Sequence, residues 1–359
     1  MTVPTSATGG SGLLVPPVAL PGLTRLRVGW VLAGVAGIVL ALVAGVVIGP
    51  VRLDPLGVVK DLIGLDSGLS ASDRTIIYEL RLPRVVLAML VGATLAICGA
   101  AYQGVFGNPL ADPYLLGVAA GAGLGATIAI AVGGTGVSST PMYVPIYAFV
   151  GALVSVALAY LVGTAGGRRG SATTMILAGV AVASFMTALQ IFVQQRYQET
   201  IREVYSWVLG RLTTAGWGEV LVLLPYTVLT VVVLVANRWV LDVLVLGDDE
   251  AAALGLNPRR TRLIIVVVAS LGTAAAVSVS GLIGFVGVII PHTVRLLAGA
   301  GHRVVLPLSL LFGATFLVFA DLLARTLLAP AELPIGVITA FFGAPFFALV
   351  LHLSRRSLS

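Results

Sequence analysis

Few side chains in this chain are equipped for chemistry, and their spacing excludes most of it. The three histidines, His292, His302 and His352, stand at no metal-ligand spacing. His292 follows Pro291 and reads as structural. Ser278 and Ser280, in VSVSG, have no base at a recognisable spacing, so a hydrolase lacks its nucleophile pair. Cys98 is the only cysteine; it lies in an apolar run and cannot form an internal disulfide. No G-x-x-x-x-G-K-[ST] occurs, and the only lysine, Lys60, cannot serve as its phosphate-binding lysine. Any ATP hydrolysis, with its magnesium, therefore belongs to another chain. Ionisable residues inside apolar runs mark ion or proton paths, and Asp321 is the one that qualifies. Arg325, four residues on, is its natural partner. These residues name no catalytic group and no metal site; they describe a conduit without its own energy source.

One charged island interrupts the apolar runs: Gly247 to Arg262, GDDEAAALGLNPRRTR. Asp248 or Asp249 is expected to cap a short helix, and Glu250 suits the positive end of its dipole. Ala251 to Leu254 are strong helix formers. Gly255 supplies a left-handed position after the helix, and Asn257-Pro258 stops any continuation. The plain reading is a solvated loop carrying topogenic arginines. The sharper one is a rigid knob for a soluble partner to grip, since a mere linker needs neither caps nor an Ala/Leu face.

The elements that must position these residues are membrane spans. Of 359 residues, 58% are hydrophobic and 10% charged, against roughly 25% charged in a soluble domain. The net charge of +6 could suggest nucleic acid. The arginines, however, sit at the ends of apolar segments and form no basic stripe, so membrane topology accounts for them and no nucleic-acid partner is expected. Residues 1–24, rich in Pro, Gly, Ser and Thr, read as a disordered tail. Residues 25–359 read as one transmembrane domain. Its first apolar run, 28–49, is too long for a signal peptide and lacks a clean cleavage site. Further spans are expected near 84–105, 114–133, 144–165, 173–195, 219–238, 263–281, 284–299, 304–323 and 336–354. That makes ten, with both termini on one side. The arginine bias makes that side cytoplasmic, and it holds the 247–262 knob. On the other side, Ile201, Val204, Tyr205 and Val208 have helical spacing and predict a helix lying at the interface.

Three further stretches carry a resemblance: LRLPRVVLAMLVGATLAICGAAYQGVFGNPLADPYLLG from Leu80, SGLIGFVGVIIPHTVRLLAGAGHR from Ser280, and ADLLARTLLAPAELPIGVITAFFGAP from Ala320. With the 247–262 island they closely resemble FecCD-type permeases of type II ABC importers, from about Leu80 to the C-terminus. That family moves ferric siderophores, haem or vitamin B12. The resemblance implies an all-α permease of ten helices, paired as a homodimer or with a close paralogue. Two ATPase subunits would sit below, holding ATP and magnesium, and a substrate-binding protein above, in the plasma or inner membrane.

Residue by residue, the family's ATPase-coupling helix matches Asp249, Glu250, Ala251, Leu254, Gly255 and Leu256. Its binding-protein docking arginines match Arg81, Arg84 and Arg325, of which Arg325 has Asp321 as a competing partner. Its inner gate matches the Asn108-Pro109-Leu110 turn and Thr173 of the Ser171-Ala172-Thr173-Thr174 loop. Ala172 stands where the vitamin B12 permease has a hydroxyl residue. The implied cargo is a ferric siderophore, then haem, then cobalamin; the rival outside the class is a secondary transporter that needs no ATPase.

Overall fold

A computed structural model describes residues 26–133, 143–165, 172–213 and 216–356, and they are helical with no strand among them. The 1–24 tail and Ser171 lie outside the described residues. α1 (Val28–Val47) leads to α2 (Pro55–Leu62), where Asp54 caps the first turn and Pro55 opens it. α3 (Ala71–Thr75) begins with a Ser70/Asp73 capping box and runs through a π-helical turn, Ile76–Arg81, into α4 (Leu82–Phe106). α5 (Val118–Gly133), α6 (Val144–Thr164) and α7 (Ala172–Arg196) follow, then the short α8 (Ile201–Val208) and α9 (Trp217–Ala236). α10 (Arg238–Leu244) and α11 (Asp248–Ala253) precede α12 (Pro258–Ser280), α13 (Val286–Ala298), α14 (His302–Thr326) and α15 (Ile335–Arg356).

Composition decides which helices form the interior. α4 is the hub, buried over most of its length, and it packs on α14, α12, α9 and α13. Small residues permit this. A Cβ on Gly92 would overlap the Gly313 carbonyl of α14, and one on Gly99 would overlap Gly287 of α13, so backbones touch where larger residues would hold them apart. α1, α6, α7 and α9 instead bury 22%, 33%, 22% and 28% of their most apolar windows, which leaves most of their surface facing outward. Among the described residues, length and apolarity mark seven helices as spans: α1, the Ala71–Phe106 rod, α6, α7, α9, α12 and α14. The other three expected spans coincide with shorter apolar helices, α5, α13 and the first part of α15. Irregular segments, 107–117 and 281–285, occupy the chain before α5 and α13 and shorten them, and 327–334 precedes α15.

Two local expectations need correction. Neither Asp248 nor Asp249 caps α11: the N-cap is Gly247 at φ 123°, with no side-chain cap. Asp248 is instead drawn to Arg262, 2.7 Å away. Gly255 does adopt the left-handed turn, at φ 82°. Asn257-Pro258, read as a stop, is also a start, since Asn257 caps Arg260 N at 3.1 Å and Pro258 opens α12. In α8 the inward face is Val204 and Trp207, while Tyr205 is 59% exposed. Ile201 and Val208, half-buried, flank Val204 at the expected helical spacing, and Trp207 adds to that inward face.

Candidate functional site

Two breaks in helix meet at one cavity. α4 ends at Gly107 in the left-handed conformation, and Asn108 Oδ1 then accepts Leu110 N at 2.9 Å, closing the Asn108-Pro109-Leu110 turn. The second break, 281–285, ends at Phe285, which holds φ 68°, a costly value for a bulky L-residue. Gln103 links the breaks by donating to the carbonyls of Ala111 and Gly287 at 3.2 and 3.1 Å. Tyr114 links them again, its hydroxyl donating to Ile283 O at 3.0 Å. Irregular backbone at membrane depth persists only where protein packs it or a cavity faces it. Here both hold.

The cavity occupies about 1080 Å³. Leu110, Tyr114, Ile191, Phe285, Val288 and Phe347 form much of its apolar wall, with Ser184, Thr187 and Asp112 as polar points. Of the expected gate residues only Leu110 lines it. Asn108, Pro109 and Thr173 are exposed at other positions. Asp112 and Phe285 were not singled out from sequence. Both lie inside the motif stretches, and Phe285 carries a readable signal in its setting between Gly284 and Val286-Gly287.

The knob forms a second feature, at the end of the molecule where α4 terminates. Asp249, Glu250 and Leu254 are exposed, Leu254 at 64%, and Trp239 and Val245 beside it are about half exposed. Ala251 is fully buried and Leu256 packs against the core, so the knob is seated. Arg262 fixes it, bonding Asp248 on one side and Val105 O of α4 at 3.3 Å on the other.

At the opposite end of α4 the three expected docking arginines come together, Arg81 and Arg325 buried and Arg84 half-buried. Arg81 donates to the carbonyls of Val46, Val47 and Val51. Arg325, with a 3% exposed side chain, donates to Gly45 O. Arg84 forks between two carboxylates, Asp321 at 2.8–3.1 Å and Glu332 at 2.9–3.0 Å. Carbonyls and carboxylates of the chain itself already occupy all three guanidinium groups. Asp321 was expected to pair with Arg325. That contact exists at 3.6 Å, yet Arg84 is the closer and bidentate partner. Arg84 reaches Asp321 from 237 residues away in sequence, so no local pattern announces it.

Comparison with known proteins sets this arrangement in context. The chain matches the sequence profile of the FecCD transport family over residues 37–353. It is 43% identical over 286 residues to an uncharacterized ABC transporter permease protein, YvrB, of Bacillus subtilis, covering 79% of this chain and 81% of that one. It is 42% identical to a cobalamin import system permease protein, BtuC, of Halobacterium salinarum, covering 80% and 76%. Relatives named for Fe(3+)-citrate import in Bacillus subtilis and hemin transport in Yersinia pestis share 36% and 37% identity. A solved structure described as a metal-chelate type ABC transporter in an inward-facing conformation superposes with a TM-score of 0.80 at 29% identity, over 91% of this chain and 99% of that one.

Proposed function

From the premise that the chain belongs to the FecCD transport family, we propose that it forms half of a dimeric pore whose exposed knob is driven by a separate ATPase. The coarse identity is direct: this is a multi-pass membrane permease of an ABC importer, a transport pore rather than an enzyme, in a group that carries iron chelates, haem or cobalamin. The finer reading adds ten crossings with both termini cytoplasmic, and a homodimer or close-paralogue heterodimer. Two ATPase subunits grip residues 249–256 of each protomer, and an extracytoplasmic binding protein docks at the Arg81, Arg84 and Arg325 rim. Docking there requires an incoming carboxylate to exchange with Glu332, which is the more exposed of the two carboxylates on Arg84.

The observation that carries the reading is the knob. A short helix is seated on Ala251, presents Leu254 to the surroundings, and is tied to the end of α4 beside the 108–110 turn. Nucleotide-driven movement of such a knob tilts the helices that frame the cavity from one opening to the other. A secondary transporter is less well supported, because Asp321, the carboxylate buried within a span, is already compensated by Arg84 and Arg325.

For cargo we take a ferric siderophore, a bulky amphipathic chelate suited to a broad apolar cavity. Cobalamin is the second reading, favoured by the 42% identity to a permease of that name. The test is reconstitution into vesicles with radioiron-loaded ferrichrome, hemin and cyanocobalamin in turn. Accumulation should require a nucleotide-hydrolysing companion; accumulation against a gradient by the permease alone overturns the proposal.

A further inference from the structure

Near the knob, three elements meet at one buried histidine. His302 opens α14, and Gly301, its N-cap, offers no side chain to satisfy the first N–H groups. Asp242, on α10, supplies that cap from outside: its Oδ1 accepts His302 N at 2.8 Å and lies 2.7 Å from His302 Nδ1. A carboxylate at a helix N-terminus is favoured by the dipole as well as by the hydrogen bonds. The ring is buried, and a Cβ on Gly104 of α4 would come within 2.6 Å of its Nε2. Nε2 has no hydrogen-bond partner among the described residues, which assigns the hydrogen to Nδ1 and the donation to Asp242. The same glycine seats Leu241, the residue before Asp242.

Each partner of this contact is attached to something that matters for the proposed cycle. α10 leads directly into the knob helix α11. α14 runs from His302 to Thr326 and carries Asp321, with the Arg84 fork, about 28 Å along the axis from His302 at the helical rise. α4, which packs backbone to backbone on α14 at Gly92 and Gly313, ends at Phe106, just past Gly104, and leads into the 108–110 turn. The fork at one end and the histidine at the other make α4 and α14 a rigid pair; Arg262 ties the knob to α4 at Val105 O, and Asp242 is the side chain that fastens the knob segment to α14.

We propose that the Asp242–His302 contact is the joint through which movement of the 247–262 knob reaches the α4/α14 pair and the 108–110 turn. Neither residue lines the cavity, so both are positioning residues. The inference rests on the importer reading for its use, though not for its existence, and the test separates the two.

Spin labels on the exposed positions Ala252 and Asn108, in labelled chain diluted with unlabelled chain in nanodiscs, report the knob-to-turn distance without any partner. Wild type should give one narrow distribution, and Asp242→Ala a broad one. Asp242→Asn, which keeps an acceptor oxygen, should stay near wild type. In vesicles containing the ATPase and binding protein, with radioiron-loaded ferrichrome, hemin or cyanocobalamin as probe, Asp242→Ala should lose about tenfold in uptake per ATP hydrolysed, the scale of a lost energetic coupling. Hydrolysis itself should remain, whereas a merely structural role would lower hydrolysis and uptake together with assembly. An unchanged distance distribution in Asp242→Ala and His302→Ala overturns the joint whatever the transport data. A broadened distribution with normal uptake per ATP also overturns its transmitting role. If wild type imports none of the probes with its partners while Asp242→Ala still broadens the distribution, the importer reading falls and the contact's mechanical role is supported.

Discussion

Replacing Arg84 by leucine should cost far more than removing the charge on Glu332, although one guanidinium serves both carboxylates at similar distances. The Asp321 side chain is 1% exposed and that of Glu332 28%. Removing one partner of a buried ion pair costs about 3–5 kcal/mol, because the other charge is left buried without compensation. Arg325 Nε remains 3.6 Å from Asp321 Oδ2, which places Arg84→Leu at the lower end, about 3 kcal/mol. Glu332→Gln keeps an oxygen for one hydrogen bond in a half-open setting, where an ion pair contributes about 0.5 kcal/mol. Arg84→Leu combined with Asp321→Leu removes both charges together and should recover most of the loss. The assay is the thermal midpoint of the purified permease in nanodiscs across these four chains. If Glu332→Gln is as damaging as Arg84→Leu, or the double variant is no better than the single, burial does not set the weight of this fork and the reasoning fails.

Other outcomes follow from single positions. Gly92→Leu should abolish recovery of monodisperse protein, because its Cβ has no room against the Gly313 carbonyl. Gly29→Ala, with nothing within 4 Å, should stay within about 0.5 kcal/mol of wild type; size-exclusion profiles compare them directly. Leu254→Asp and Gly255→Val should leave membrane insertion intact while hydrolysis in the assembled complex no longer drives uptake. Valine at φ 82° adds about 1–2 kcal/mol of local strain. Normal import by either variant removes the knob as the transmission element. Burial pushes the Asp242 carboxyl up, but the His302 hydrogen bonds and Arg303 outweigh it, and the group titrates below its ordinary 3.8. A depressed folded-state value means the contact's stabilisation is whole above 3.8 and is lost as pH falls through the folded value. Wild type should therefore lose thermal stability more steeply than Asp242→Asn on acidification below 3.8; parallel curves refute a charged cap.

What the sequence by itself determined is what depends on neighbours along the chain. Apolar runs such as 144–165 and 304–323 became helices α6 and α14, because length and hydropathy are properties of a segment. Gly255 was legible for the same reason: a left-handed turn after a short helix favours glycine, whatever surrounds it. The 107–117 and 281–285 breaks were visible only as Pro- and Gly-containing stretches, and that they share a cavity was not. The i,i+4 contact of Asp321 with Arg325 was legible, but tertiary structure decided the closer pairings of charge. Arg84 bonds carboxylates 237 and 248 residues away, and His302 bonds one 60 residues away. Asp248 gave up a cap for Arg262. A buried charge takes whichever partner packing brings within reach, since leaving it unpaired costs more than any local preference can return.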